Sequence, residues 1–368
     1  MKVLVAPDSF GGTLSAPEAA RAIVAGWLEH APDDEVTTAP MADGGPGFVD
    51  VLHEALGGDL QMQTVSGPLG DAVPLTWLLV DRTAYVESAQ ACGLHLSDRR
   101  EPLIATTVGV GEAMATAIDA GAQRIVVGMG GSATNDGGAG MLAALGARAD
   151  VPLNGGPADL VGITTVDLGP ARQRVNGVEL VIASDVDSTL LGLFGATKTF
   201  GPQKGLTDDQ IITVDGTLDG FVVAACGSTP SERRIADAAG AGAAGGLGFG
   251  LMLLGGSFTS GIDLVAESVG LSELAGQHDL VVTGEGRYDF SSRAGKVVYG
   301  VAAAAARGAR PCIVLAGQVE VGSREMRAMG VESAYAMVDV VGLQRSMNDP
   351  HAALAELAAR VARTWSRH

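Results

Sequence analysis

The chain has 368 residues, 47% hydrophobic and 18% charged, which excludes a mainly disordered protein; with only 4% aromatic residues the core must be aliphatic, as suits parallel sheets covered by helices. A formal net charge of −18 excludes a general affinity for nucleic acid or anionic membrane, so an anionic small molecule would have to be held by local groups. Cys92, Cys226 and Cys312 lie far apart without a CxxC, which excludes a zinc site or a disulfide framework and fits a reducing cytoplasm.

In chain order, "KVLVA" reads as a buried strand, with Asp8 and Ser9 of "PDSF" just past its end. Pro7 and Asp8 interrupt this opening too early for the apolar core of a secretory signal. Ser15 with Glu18 is a capping-box signature ahead of Ala19, Ala20, Ile23, Val24 and Trp27 on one helical face. "EVTTA" leads into "MADGG", which supplies Asp43, Gly44 and Gly45.

The strand-like "RIVVG" runs into "MGGSATNDGG", carrying Gly130, Gly131, Ser132, Asn135 and Asp136, before the helical "AGMLAALGA". A glycine-rich turn between strand and helix presents unpaired N–H groups and a positive dipole end, which predicts an anion site; the plain alternative is that Ser132 or Asn135 only caps the helix. Asp136 beside a bound phosphate would imply an intervening cation.

Further on, "ELVIA" precedes Asp185 and Asp187, and "FGPQKG" carries Lys204. Ala238 to Ile262 holds no charge over 25 positions, but nine are glycine, which predicts a buried glycine-rich loop and helix and no membrane span. Gly240, Gly242 and Gly245 have the GxGxxG spacing of a dinucleotide fingerprint. The charged, helical "SERRIADAA" stands where the fingerprint needs a strand, so a dinucleotide-dependent oxidoreductase is supported by the spacing alone; Gly242 and Gly245 still permit close approach of an anion. "DLVVT" then runs into "GEGRYDFSSRAGK" with Glu285, Arg287, Asp289, Arg293 and Lys296. After "CIVLA", Asp349 and Pro350 read as N-cap and first residue of a helix that turns Leu354, Leu357, Val361 and Trp365 inward.

Strands alternating with helices imply a parallel sheet that binds ligands outside the carboxyl ends of its strands, so Asp8, Asp43, Asp136, Asp185, Glu285 and Asp289 are expected along one rim. The regular pattern is cleanest at the two ends. This predicts an α/β protein in which a Rossmann-like parallel-sheet domain, 1–60 plus 275–368, is interrupted by a second, inserted α/β domain, 61–274. Walker A, protein-kinase and G-x-S-x-G signatures are missing. Carboxylates able to hold Mg²⁺ and amines able to neutralise an anion are nevertheless the parts phosphoryl transfer needs, although the same charges could simply pair across loops.

Taken together, "VAPDSF" with "LSA", "MADGG", "VVGMGGSATNDGGAGMLAALGA", "FGPQKG", "GAGAAGGLG" and "TGEGRYD" with "GK" resemble, in order, the signatures of the type 1 glycerate kinases, from Met1 to about Gly317. The resemblance implies ATP-dependent phosphorylation of D-glycerate with Mg²⁺, and a Rossmann-like domain interrupted by an inserted one with the active site in a cleft between them. It matches Asp8, Ser9, Asp43, Gly44, Gly45, Ser132, Asn135, Asp136, Asp185, Lys204, Glu285, Arg287, Asp289 and Lys296 to the family's motif positions. On this reading Lys204 or Lys296 neutralises the transferring phosphate, Arg287 pairs with the substrate carboxylate, and Asp185 or Asp289 holds Mg²⁺ or orients the attacking hydroxyl. The 2-hydroxyl is favoured over the 3-hydroxyl. A cytoplasmic monomer or homodimer without nucleic-acid or membrane partners is expected. Four positions depart from the family pattern: Gly11 replaces a usual lysine, Pro46 a glutamate, Ser188 with Thr189 an Asn-Pro pair, and Ser291 a glutamine. They leave open a relative that is non-catalytic or takes another small hydroxy acid.

Overall fold

The computed structural model describes residues 1–290 and 296–366 as an α/β protein of two compact units. Met1–Asp43, Asp50–Leu56 and Gly261–His368 make the first unit, and Gly44–Val49 with Gly57–Ser260 the second. Strands β1 (Lys2–Val5) and β2 (Glu35–Thr38) open the chain. In the second unit follow β3 (Asp59–Ser66), β4 (Ala72–Val80), β5 (Thr83–Glu87), β6 (Arg124–Gly128), β7 (Arg148–Ala149), β8 (Val166–Asp167), β9 (Glu179–Ala183) and β10 (Ser257–Thr259). Finally β11 (Leu280–Tyr288), β12 (Cys312–Val319) and β13 (Ser333–Ala336) return to the first unit.

The first unit's sheet is wholly parallel, ordered β13-β12-β11-β1-β2. Counted within this unit the order is 5-4-3-1-2, so the winding direction reverses between β1 and β11; a crevice opens outside the carboxyl ends at such a reversal. Val3, Val5, Leu280, Val282, Ile313 and Leu315 are buried on one face and Leu4, Val281 and Val314 on the other, because helices cover both, which is why these strands read as unbroken apolar runs.

The capping box forms: Ser15 N–H donates to Glu18 Oε2 at 2.8 Å, and Glu18 N–H to Ser15 Oγ at 3.4 Å. The helix it starts, Ala16–His30, buries Ile23 and Trp27 against Leu354, Leu357 and Val361 of the Pro350–Trp365 helix. Each such side chain contributes roughly 1.5–3 kcal/mol. Gly26 is where the two helices touch, since a Cβ there would lie 1.9 Å from Ala355 O. Asp349 precedes Pro350 as expected but makes no side-chain cap bond, and Trp365 is only half-buried, its Nε1–H donating to Tyr335 Oη at 2.9 Å.

The second unit's sheet, ordered β10-β9-β6-β5-β4-β3, follows chain order from one edge to the other and has no reversal. Its β5, β6, β9 and β10 are parallel, with β4 and β3 added antiparallel. Trp77, Val86, Ile125, Val127, Ile182, Phe221 and Phe249 fill its core, the two phenylalanines edge to face at 5.9 Å.

One sequence expectation changes, and two others take definite shape. The strand read as "DLVVT" continues to Tyr288, so Glu285 and Arg287 lie within β11, opposite Ala316 and Gln318 of β12, and not in a loop beyond it. Glycines permit this extension: a Cβ on Gly284 would meet Leu315 O at 2.1 Å, and one on Gly317 would meet Gly286 O at 2.3 Å. The uncharged stretch forms the helix Ala243–Leu253, broken by the left-handed run Ala244, Gly245, Gly246; among the described residues no helix is long and apolar enough to cross a membrane. A 3₁₀ turn, Glu232–Ile235, and no strand precedes Gly240, so the GxGxxG spacing lacks the geometry of a dinucleotide site.

Candidate functional site

Each unit gathers one set of candidate residues around a cavity of its own. In the first, ladder bonds continue past the end of β1: Ala6 N–H donates to Val282 O at 2.7 Å and Asp8 N–H to Gly284 O at 2.8 Å. This holds Asp8 at the β1/β11 reversal, with the Ser9 amide donating to its Oδ1 at 2.6 Å. Loss of hydration, then the Asp43 and Glu285 charges, push the partly covered Asp8 carboxyl well above the usual carboxylate range against the opposing pull of the Ser9 amide.

Beside this trio lies a cavity of about 440 Å³. Ser9, Glu285, Arg287, Asp289 and Lys296 give it a wall of both charge signs. Glu285 and Arg287 share a face because they are two apart on an extended strand. Arg287 makes only a loose surface pair with Glu320 at 3.8 Å, worth about 0–1 kcal/mol, which a ligand can outcompete. Gly11, at φ +55°, also lines this cavity, and nothing stands within 4 Å of the Cβ it lacks. Arg293 and Ser291 lie outside the described residues.

In the second unit the expected anion loop follows β6. A Cβ on Gly130 would lie 2.6 Å from Gly45 Cα, and one on Gly44 2.5 Å from Ala183 O, so the "MADGG" and "GMGG" turns stack backbone on backbone. Pro46 closes the stack, its Cγ 3.3 Å from where a Gly131 Cβ would be. Lys204 comes from the last turn of the helix Ala196–Lys204, and its ammonium donates to Ser132 Oγ at 3.1 Å and Thr134 O at 2.6 Å. The residue is 3% exposed; burial pushes its amine down to about 8, with Asp136 among the charges that pull it back. Two of the three ammonium donors are engaged, which leaves one to meet an anion.

A cavity of about 90 Å³ adjoins it, lined by Gly130, Gly131, Ser132, Lys204 and Gly245, with Val186 and Phe200 on its apolar side. Gly245 is irreplaceable there: its φ is +70°, and a Cβ would stand 1.9 Å from Thr134 O. Its neighbour Ala244, at φ 51°, holds a left-handed conformation that costs a non-glycine residue about 1 kcal/mol or more, a strain that concentrates at functional sites.

Three expected ligand contacts have other duties. Asp136 is fully buried and accepts from Thr107 N–H (2.9 Å) and Oγ1–H (2.8 Å), Gly138 N–H (3.0 Å) and Gly140 N–H (3.2 Å). Burial still holds its pKa above the usual carboxylate value against these bonds, and the carboxylate staples the loop from inside instead of facing a cation on the rim. Gly242 donates its N–H to Ser188 O at 2.9 Å and would place a Cβ 2.2 Å from Thr189 O, so it packs a loop and is not in the lining of the cavity beside Lys204. Asn135, also fully buried, donates to Thr197 Oγ1 at 2.8 Å, while its Oδ1 has no hydrogen-bond partner. Asp185 is half-buried, one residue from the lining Val186, and its Oδ1 accepts from Ser260 Oγ at 2.7 Å.

Sequence reasoning passed over Glu87. Buried to 4% exposure, it accepts from Gly47 N–H at 3.1 Å and Val49 N–H at 3.4 Å, and so anchors the turn that carries Gly44 and Gly45. Its signal was present, a carboxylate closing the apolar run "TAYVE".

Among the described residues no group of three or more His, Cys, Asp and Glu could hold a metal ion. Asp185, in the second unit, and Asp289, in the first, each carry the oxygen donor type that magnesium takes.

Residues 3–366 match the glycerate kinase family. A glycerate kinase of Bacillus subtilis is 42% identical over 347 residues, 92% of this chain and 90% of the relative. Glycerate 2-kinase of Escherichia coli is 37% identical over 353 residues, covering 93% and 92%. A crystal structure from Salmonella typhimurium LT2, of a chain provisionally named glycerate kinase 2, superposes with a TM-score of 0.80 at 36% identity over 99% of this chain and 98% of that one.

Proposed function

The chain belongs to the glycerate kinase family and is a kinase, and from that premise we propose that it transfers the terminal phosphoryl group of ATP to the 2-hydroxyl of D-glycerate, as a member of the type 1 subgroup. The observation that carries the reading is Lys204, an ammonium shut into a glycine-lined cradle where a phosphoryl oxygen can take its remaining donor. In this reaction the acceptor oxygen bonds to phosphorus as the bond to ADP breaks, and the hydroxyl proton passes to a carboxylate. Lys204 or Lys296 neutralises charge on the moving group, Arg287 pairs with the carboxylate of the acid, and Asp185 or Asp289 holds Mg²⁺ or orients the hydroxyl. Mg²⁺, when bound, supplies charge neutralisation on the phosphates. The 2-position is supported by the name of the Escherichia coli relative. The same proposal includes the division into 1–60 plus 275–368 and an inserted 61–274, and a cytoplasmic setting.

A coupled ADP-release assay across a panel of small hydroxy acids tests the reading, with the product identified by phosphorus NMR. D-Glycerate is expected to be the best acceptor and 2-phosphoglycerate the product, and Asp185→Asn is expected to lower turnover about tenfold or more. A better turnover with a larger acid would assign the open space at Gly11 to an altered substrate.

A further inference from the structure

The first unit's cavity has a side that phosphoryl chemistry does not use. Met337, Val338, Leu343 and Met347 line it as well. Met337 belongs to the unit's core, but Val338, Leu343 and Met347 are not packed against it, and Leu343 and Met347 are each 57% exposed. These two lie four apart on the helix Leu343–Asn348 and so share the face that lines the cavity. Apolar side chains left in solvent at a cavity wall mark a place where a ligand covers them.

We propose that this shelf seats the adenine ring of the nucleotide. The inference rests on the kinase reading and adds residues to it. Three features select the occupant. The cavity lies at the β1/β11 reversal, the place where doubly wound sheets take nucleotides. Its volume of about 440 Å³ is in the range that encloses a drug-sized molecule, whereas a three-carbon acid would leave most of it empty. Its lining is of two kinds: apolar side chains with two polarisable thioethers suit an aromatic ring, and the mixed charges of Glu285, Arg287, Asp289 and Lys296 suit a polyphosphate carrying a divalent cation. Gln318, also in the lining, offers an amide with both donor and acceptor, the complement of a base edge.

The test uses the full chain and titrates ADP, adenosine and inorganic tripolyphosphate calorimetrically into wild type, Leu343→Asn, Met347→Asn and Val338→Trp. Both asparagine variants change exposed positions, and thermal unfolding verifies that they fold. Dissociation constants for ADP and adenosine should rise about tenfold or more in each variant while tripolyphosphate binding stays unchanged. In the kinetic assay the KM for ATP should rise and the KM for glycerate should not. Unchanged adenosine and ADP affinity in all three variants, a rise confined to the KM for glycerate, or a wild-type protein that binds no adenine nucleotide would each overturn the seat. If wild type phosphorylates no glycerate yet loses ADP affinity in these variants, the seat stands and the substrate assignment falls.

Discussion

The two units cover groups of opposite charge by the same means. In the first unit a carboxyl, Asp8, is crowded by Asp43 and Glu285; in the second an amine, Lys204, is enclosed by glycines, a hydroxyl and a carbonyl. Loss of hydration drives Asp8 up and Lys204 down to about 8, so each group is held closer to neutrality than water would leave it. A ligand of opposite charge restores what solvent no longer supplies. The Lys204 cradle therefore favours an anion, and the corner at Asp8 favours a group that brings positive charge.

The largest effect that would break this contrast is on Lys204. Lys204→Met should lower turnover with glycerate by about a hundredfold, the usual cost of removing a donor to developing negative charge; a wild-type rate would remove the anion cradle from the mechanism. Next comes pH. Because the Lys204 amine sits near 8, turnover with glycerate should fall by up to about tenfold per pH unit above that value, and the Lys204→Met profile should be flat over the same range.

Backbone packing gives a third comparison. Gly245→Ala and Gly26→Ala each force a Cβ onto a carbonyl oxygen at 1.9 Å, and each should cost about 1–3 kcal/mol in urea unfolding. Only Gly245→Ala should also lower turnover. The smallest effect is a mirrored pH slope in stability. The native state keeps the Asp8 proton where the unfolded chain has lost it, so stability falls as pH rises from the ordinary carboxylate range through the raised value; Asp8→Asn should raise the urea midpoint at pH 7 and not at pH 3. For Lys204 the unfolded chain holds the proton longer, so stability rises between about 8 and 10.5, and Lys204→Met should remove that rise.

The α/β class was legible because central parallel strands are buried on both faces, and "KVLVA", "RIVVG" and "CIVLA" show this as unbroken apolar runs. The Ser15 cap was legible because it is a local bond between residues three apart. Glu285 and Arg287 were misplaced because polar residues in a strand beyond the edge of the core look like loop residues. For Asp136 and Gly242 the residue types were informative but not their direction: a carboxylate in a glycine turn can point at a ligand or back into its own loop, and Thr107, far away in sequence, joins the Gly138 and Gly140 amides in turning Asp136 inward. Leu343 and Met347 carry no motif at all; a short apolar helix gains meaning only when a cavity opens beside it.

The order of the first unit's sheet also sets a timetable for biosynthesis. β1 leaves the ribosome well before its partner in the pairing Val3↔Leu280, which is translated only after the entire second unit. Residues 57–260 can complete their own fold as they emerge, whereas Trp27 and Ile23 wait, uncovered, for the last helix of the chain. The N-terminal hydrophobic face is thus the part of the nascent protein most in need of chaperone cover.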